Sequence, residues 1–185
     1  MTGRTMKSGW MNNAAVWRIT AWSGAALLLL APLAAMQVTR EVQWTASDFA
    51  VFGIMLAVPL AVLEVALRAS GDFAFRIAVV IALGAAFLMT WANLAVGIIG
   101  NENDPLNDLF FGVLLVGVVG AFVARFRPEG LARTMAAMAA AQALIAVIAL
   151  VQGHFVVVLT GVFVTAWLMS AWLFRKAARE ALPAA

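Results

Sequence analysis

The sequence contains no cysteine, no tyrosine and a single histidine, His154. Without thiols there is no disulfide, no thiol redox centre and no Cys-based zinc site, and one histidine cannot provide both axial ligands of a haem within one chain. Charge is equally scarce. Only 11% of the 185 residues are Asp, Glu, Lys or Arg, against 65% hydrophobic residues, and the mean hydropathy is +0.99. A soluble domain carries about 25% charge, so this chain has too little to cover a water-facing surface. A nucleophile elbow, a phosphate-binding loop, a Rossmann glycine pattern and a zinc-protease motif are also missing. No catalytic site, metal site or cofactor is expected.

What is present is a series of long apolar runs. Six of them, at about 16–37, 47–68, 74–99, 107–126, 131–151 and 155–174, reach the ~20 residues that a helix needs to cross a bilayer. Six spans take up roughly 120 residues, which leaves no length for a separate soluble domain within residues 1–185. The expected architecture is therefore all-α, a single transmembrane domain built as a six-helix bundle. Connections such as Ala69-Ser70-Gly71-Asp72 and Gln152-Gly153-His154 are too short for anything but antiparallel neighbours, which predicts three antiparallel hairpins.

The pI of about 10.6 would suggest nucleic acid in a soluble protein, but the basic residues are segregated. Arg4, Lys7, Arg18, Arg68, Arg76, Arg125, Arg127, Arg133, Arg175, Lys176 and Arg179 fall at alternate span ends, against Arg40 alone at the others. Lys and Arg mark the cytoplasmic side, so both termini are expected to be cytoplasmic and no nucleic-acid partner is expected. Trp10, Trp17, Trp167 and Trp172 fall near the inner interface of this frame and Trp44 near the outer one, where indoles prefer to sit. Residues 1–36 have some features of a signal peptide, but the apolar run is long enough to span.

Polar groups within apolar runs are costly, so each is a candidate for chemistry or for helix pairing. Glu64 lies about 24 Å along the second span, near its inner end, with Arg68 four residues on and on the same face. Gln142 lies near the middle of the fifth span, at a depth similar to Pro59 in the second, where an amide would bridge helices or line a polar passage. In the fourth span Gly112, Gly117 and Gly120, and in the fifth a near-continuous alanine series, predict close packing of those two helices. The face expected outside gathers Gln37, Arg40, Glu41, Trp44, Asp48, Asn93, Glu102, Asp104, Asn107, Asp108, Gln152 and His154. Within it Trp44, Asp48, Asn93, Glu102, Asp104, Asp108 and His154 form the candidate site for a cation, a polar ligand or a partner protein.

Ala35-Met36-Gln37, Glu41-Val42-Gln43-Trp44, Ser47-Asp48-Phe49 and the stretch from Trp91 through Asn93 and Gly97 to Gly100, ahead of Glu102, give a resemblance. On these residues the chain resembles a family of small uncharacterised bacterial multi-pass membrane proteins, over about residues 25–150. The resemblance implies a bacterial inner-membrane location and carries no activity. The function expected from these features is non-enzymatic: an accessory or structural inner-membrane protein that binds another membrane component through its acidic outer face. The alternative is a small transporter or channel-like oligomer for a cation or small polar solute, using Glu64, Gln142 and the outer acids. Expected partners are the lipid bilayer and either another membrane protein or further copies of this chain.

Overall fold

The computed structural model describes residues 3–181, with side chains from Val16 onward. Arg4, Lys7 and Trp10 lie outside the described side chains. Among the described residues there are six α-helices and no strand. They are α1 (Gly3–Val38), α2 (Ala46–Ala69), α3 (Phe73–Ala95), α4 (Asp108–Val123), α5 (Pro128–Val151) and α6 (Val157–Glu180), with a 3₁₀ turn at Pro105–Asn107 ahead of α4. All six are long and apolar enough to cross a membrane. The chain divides into two compact units, Met1–Val65 and Ala66–Ala185.

In the first unit α1 and α2 run through Pro32 and Pro59 as unbroken helices. Leu29 lies against Gly53, and Arg18, eleven residues earlier on α1, meets Glu64, eleven residues later on α2. The start of α2 is tightly specified. Thr45 N and Oγ1 both donate to Asp48 Oδ2, at 2.7 and 2.8 Å, and Asp48 N returns to Thr45 Oγ1 at 3.4 Å. This reciprocal capping pattern satisfies amides that a first turn leaves open, and Trp44, packed edge-on against Phe49, staples the entry of the chain. A second edge contact from Trp44 to Phe52 completes the cluster.

In the second unit α6 packs on both α3 and α5, and α4 packs on α5. Phe75 of α3 stacks edge-on against Phe174 of α6, and one turn later Ala78 O accepts from Ser170 Oγ at 2.9 Å. Buried Met89, Phe163, Trp167, Ala132, Met138 and Ile145 fill the interior of the unit. The turn from α2 into α3 is closed by Asp72, whose Oδ1 accepts from Phe75 N at 2.6 Å, and by Arg76, which donates to the carbonyls of Leu67 and Ser70. The α4–α5 contact uses the glycines: a Cβ on Gly120 would lie 2.5 Å from Thr134 Cγ2, and one on Gly130 would lie 2.5 Å from Ala124 Cβ. A Cβ on Gly117 would meet only the flexible end of Met138, and one on Gly112 would meet nothing within 4 Å. The expected small-residue contact is thus present, but at Gly117, Gly120 and Gly130 and without Gly112.

Four helix ends differ clearly from the apolar runs: α1 begins at Gly3 and α6 continues to Glu180, past the ends expected near 16 and 174, because polar and charged residues can extend a helix beyond its apolar run, while α3 and α4 stop early. The third run was expected to continue to residue 99, but α3 stops at Ala95 and the chain turns through Gly97 at φ +72° and Gly100 at φ +61°. The fourth was expected to reach 126, but α4 stops at Val123. Phe126 N donates back to Ala121 O and Arg125 N to Phe122 O, the bond pair of a Schellman cap. Apolar residues can continue past a helix end without being helical, which hydropathy alone does not register. The left-handed positions of that cap are Arg125 (φ 50°) and Phe126 (φ 57°). A side chain there costs on the order of 1–2 kcal/mol relative to a right-handed residue, a cost that glycine escapes.

Gly120→Ala and Gly130→Ala should each lower the stability of the detergent-solubilised protein by about 1–3 kcal/mol through overpacking. Gly112→Ala should be neutral or stabilising by up to about 1 kcal/mol, since it adds helix propensity into open space. Thermal unfolding of the three variants checks the contact; equal melting temperatures would contradict it.

Candidate functional site

The connection between α3 and α4, residues 96–107, is built around one buried side chain. Asn107 Oδ1 accepts from the amides of both Ile98 (3.0 Å) and Ile99 (2.8 Å), and Nδ2 donates to the carbonyls of Ile99 (3.0 Å) and Asn101 (2.7 Å). An amide offers two donor hydrogens and two acceptor lone pairs. All four are spent on the backbone of this loop. Asn93, in the last turn of α3, donates its Nδ2 to Asn107 O at 3.0 Å and so ties the loop to the helix before it.

The sequence permits this fold because glycines stand at both bends. Gly97 is crossed so closely by the backbone that a Cβ would lie 2.5 Å from Asn101 C and O, and a Cβ on Gly100 would lie 2.8 Å from Asp104 Oδ2. Both also have the positive φ that a side chain resists. Between them Ile98 and Ile99 turn inward and are buried, Ile99 completely. Burial of two isoleucines and saturation of Asn107 make the connection a packed loop rather than a solvated turn.

Asp104 joins this loop to the next one. Its Oδ1 accepts from Leu106 N at 3.0 Å, capping the 3₁₀ turn, while Oδ2 lies 3.6 Å from His154 Nε2 in the α5–α6 connection. Of the seven candidate residues, then, the structure brings Asp104 and His154 together and sets Asn93 beneath the same loop. Glu102 and Asp108 are exposed, the first at the loop tip and the second in the first turn of α4, with no ion-pair or hydrogen-bond partner among the described residues. Trp44 and Asp48 belong to the first unit, where they form the start of α2. No group of three or more His, Cys, Asp or Glu that could hold a metal ion exists among the described residues. Glu102 on the loop and Asp108 at the start of α4 thus present two carboxylates to solvent beside the Asn107-bonded backbone.

The intramembrane candidates are engaged across helices. Glu64 pairs with Arg18 Nε at 2.7 Å and accepts from the Trp22 indole at 3.4 Å, so its charge is met from α1. Gln142 is fully buried, and its Oε1 accepts from Trp167 Nε1 of α6 at 3.1 Å. Trp167 was expected at the inner interface. Instead it is fully buried, because it lies on the Thr160–Phe163–Trp167–Ser170–Phe174 stripe that α6 turns inward. Asn93 Oδ1 and Gln142 Nε2 are buried without a hydrogen-bond partner.

Sequence reading placed Asn107 among the outer polar residues but did not single it out. The signal was the isoleucine pair between two glycines in an otherwise polar connection, since buried apolar residues in a loop need their amides satisfied by a side chain.

Asn107→Asp should loosen this loop, because a carboxylate cannot donate to Ile99 O and Asn101 O; Asn101 O still accepts from Asp104 N, so the loss is on the order of 1–3 kcal/mol, for the orphaned Ile99 carbonyl. Hydrogen exchange at the Ile98 and Ile99 amides should accelerate while exchange in the middle of α5 stays slow. Unchanged protection at both amides would contradict the assignment. No protein-family model, curated protein or solved structure matches this chain.

Proposed function

We propose that the protein is a non-enzymatic, multi-pass protein of a bacterial inner membrane, with three helix hairpins and both termini in the cytoplasm. It acts as an accessory component that docks another membrane protein through its α3–α4 loop on the outer side. The orientation rests on the eleven basic residues at one set of helix ends against Arg40 at the other. In that frame the Asn107-locked loop faces outward, with Glu102 and Asp108 presented to solvent.

The observation that carries the docking reading is the saturation of Asn107. A linker between two helices needs only a few residues and no internal architecture, whereas this one has a buried amide, two bent glycines and two inward isoleucines. A preorganised loop loses little conformational entropy on binding, and its exposed carboxylates favour a basic segment of a partner. A transport role finds less support. Glu64 is already neutralised by Arg18, and the oxygen of Gln142 is occupied by Trp167.

Because the chain has no cysteine, single-cysteine variants report topology directly. Asn103→Cys should react with a membrane-impermeant maleimide from the outside of spheroplasts, and Arg127→Cys only after permeabilisation; the reverse pattern would overturn the orientation. A photo-crosslinking residue at position 103 should give one discrete membrane-protein adduct in cells, lost when Glu102→Gln and Asp108→Asn are combined. An absent adduct, or one indifferent to both substitutions, would contradict docking through this loop.

A further inference from the structure

The α4–α5 turn, at the opposite end of α4 from the locked loop, keeps two residues where the backbone favours glycine. Arg125 occupies the left-handed position of the Schellman cap and Phe126 follows it with the same sign of φ. Arg127 comes next, in extended backbone ahead of α5 (φ −73°, ψ 137°), with no side-chain cap bond. A glycine at 125 would close the same cap without strain, so the side chain at that position is retained against the preference of the fold. Strain held in place by its surroundings is a reason to look for a ligand.

The surroundings say what that ligand is. Arg125 and Arg127 are exposed and have no acidic partner among the described residues. Four other basic residues near helix ends are matched: Arg133 pairs with Glu129, Lys176 lies near Glu180, Arg18 holds Glu64, and Arg76 caps carbonyls, whereas Arg40, Arg175 and Arg179 have no acidic partner among the described residues and lack the exposed phenylalanine pair of this turn. The Arg133 pair matters most here, because it occupies the carboxylate nearest in sequence to the turn. In the same turn the rings of Phe122 and Phe126 meet edge-on at 5.4 Å, both largely exposed, as is Val123. Two exposed arginines without an acidic partner, in one turn with an exposed apolar and aromatic pair, match a ligand with an anionic head and a hydrocarbon body.

We propose that the α4–α5 turn is a binding site for an anionic phospholipid, its phosphate taken by Arg125 and Arg127 and its upper chains lying on Phe122 and Phe126. Arginine suits the role because its planar fork donates two parallel hydrogen bonds to a phosphate. A juxtamembrane cation gains attraction from an anionic leaflet besides. The placement of this turn at the cytoplasmic leaflet rests on the orientation proposed above. The binding itself does not.

The test uses the full chain in neutral detergent, reading Tm against added phosphatidylglycerol, with phosphatidylcholine and inorganic phosphate as parallel arms. Micelles have no sides, so the outcome is independent of membrane orientation, which the cysteine labelling decides separately. Phosphatidylglycerol should raise Tm of the native chain in a saturating manner, and the other two arms should not. Arg127→Gln should weaken the apparent affinity roughly fivefold, and Arg175→Gln, which removes an unpaired arginine from the end of α6, should leave it intact. Arg125→Gly should behave in two opposite ways: Tm in neutral detergent rises by roughly 2–4 °C as strain is relieved, while the phosphatidylglycerol response is lost. The proposal is overturned if Arg125→Gly and Arg127→Gln keep the full lipid response, or if Arg175→Gln loses as much. It is equally overturned if inorganic phosphate reproduces the shift, or if Arg125→Gly gains no stability in neutral detergent.

Discussion

A buried backbone amide or carbonyl must find a partner, and where an apolar loop leaves the helix this requirement falls on side chains. At Asn107 one amide meets four such groups at once. Everything particular about the α3–α4 end follows from it: Ile98 and Ile99 are buried because their amides are satisfied, Gly97 and Gly100 are required because the chain must bend sharply on either side, and Asp104 is brought within reach of His154. Remove the amide and the isoleucines lose the condition under which burial is favourable.

The same requirement shapes the interior of the helices. Thr90, Thr134, Thr160 and Thr165 each return their hydroxyl to the carbonyl four residues back, Ser170 donates to Ala78 O, and Trp167 donates to Gln142. In a bilayer no water is available to take these protons, so a local acceptor or a neighbouring helix must do so. Polar groups used in this way specify which helices meet and at what height. They are poorly suited to passing a solute along, which is why the proposed function places recognition in the loop instead of transport in the bundle.

The six apolar helices were legible in the sequence because a bilayer imposes a length and a composition, and a chain with so little charge has few other ways to fold. The partnership of α4 with α5 was legible from Gly117 and Gly120, since small residues allow backbones to approach. Helix ends were less legible. Ile98, Ile99 and Phe126 are as apolar as residues within a span, and only Gly97, Gly100 and the Schellman bonds at residues 121–126 show where the helix stops. Among the candidate residues, Asp104 and His154 lie 3.6 Å apart, a pairing that the sequence did not single out, whereas Trp44 and Asp48 serve the start of α2. Sequence could not assign the partners of Glu64 and Gln142, because Arg18 and Trp167 are distant in the chain and only packing brings them near. Trp167 was misplaced for a related reason: an indole near a helix end suits an interface, and its burial is set by the stripe it shares with Phe163 and Phe174.

The central claim is that residues 97–104 form a fixed platform and not a flexible link. Backbone 15N relaxation of the protein in micelles tests it most directly. The account predicts order parameters for Ile98, Ile99 and Asn101 near the ~0.85 of rigid backbone, equal to those in the middle of α5; values below about 0.6 across this loop would contradict it.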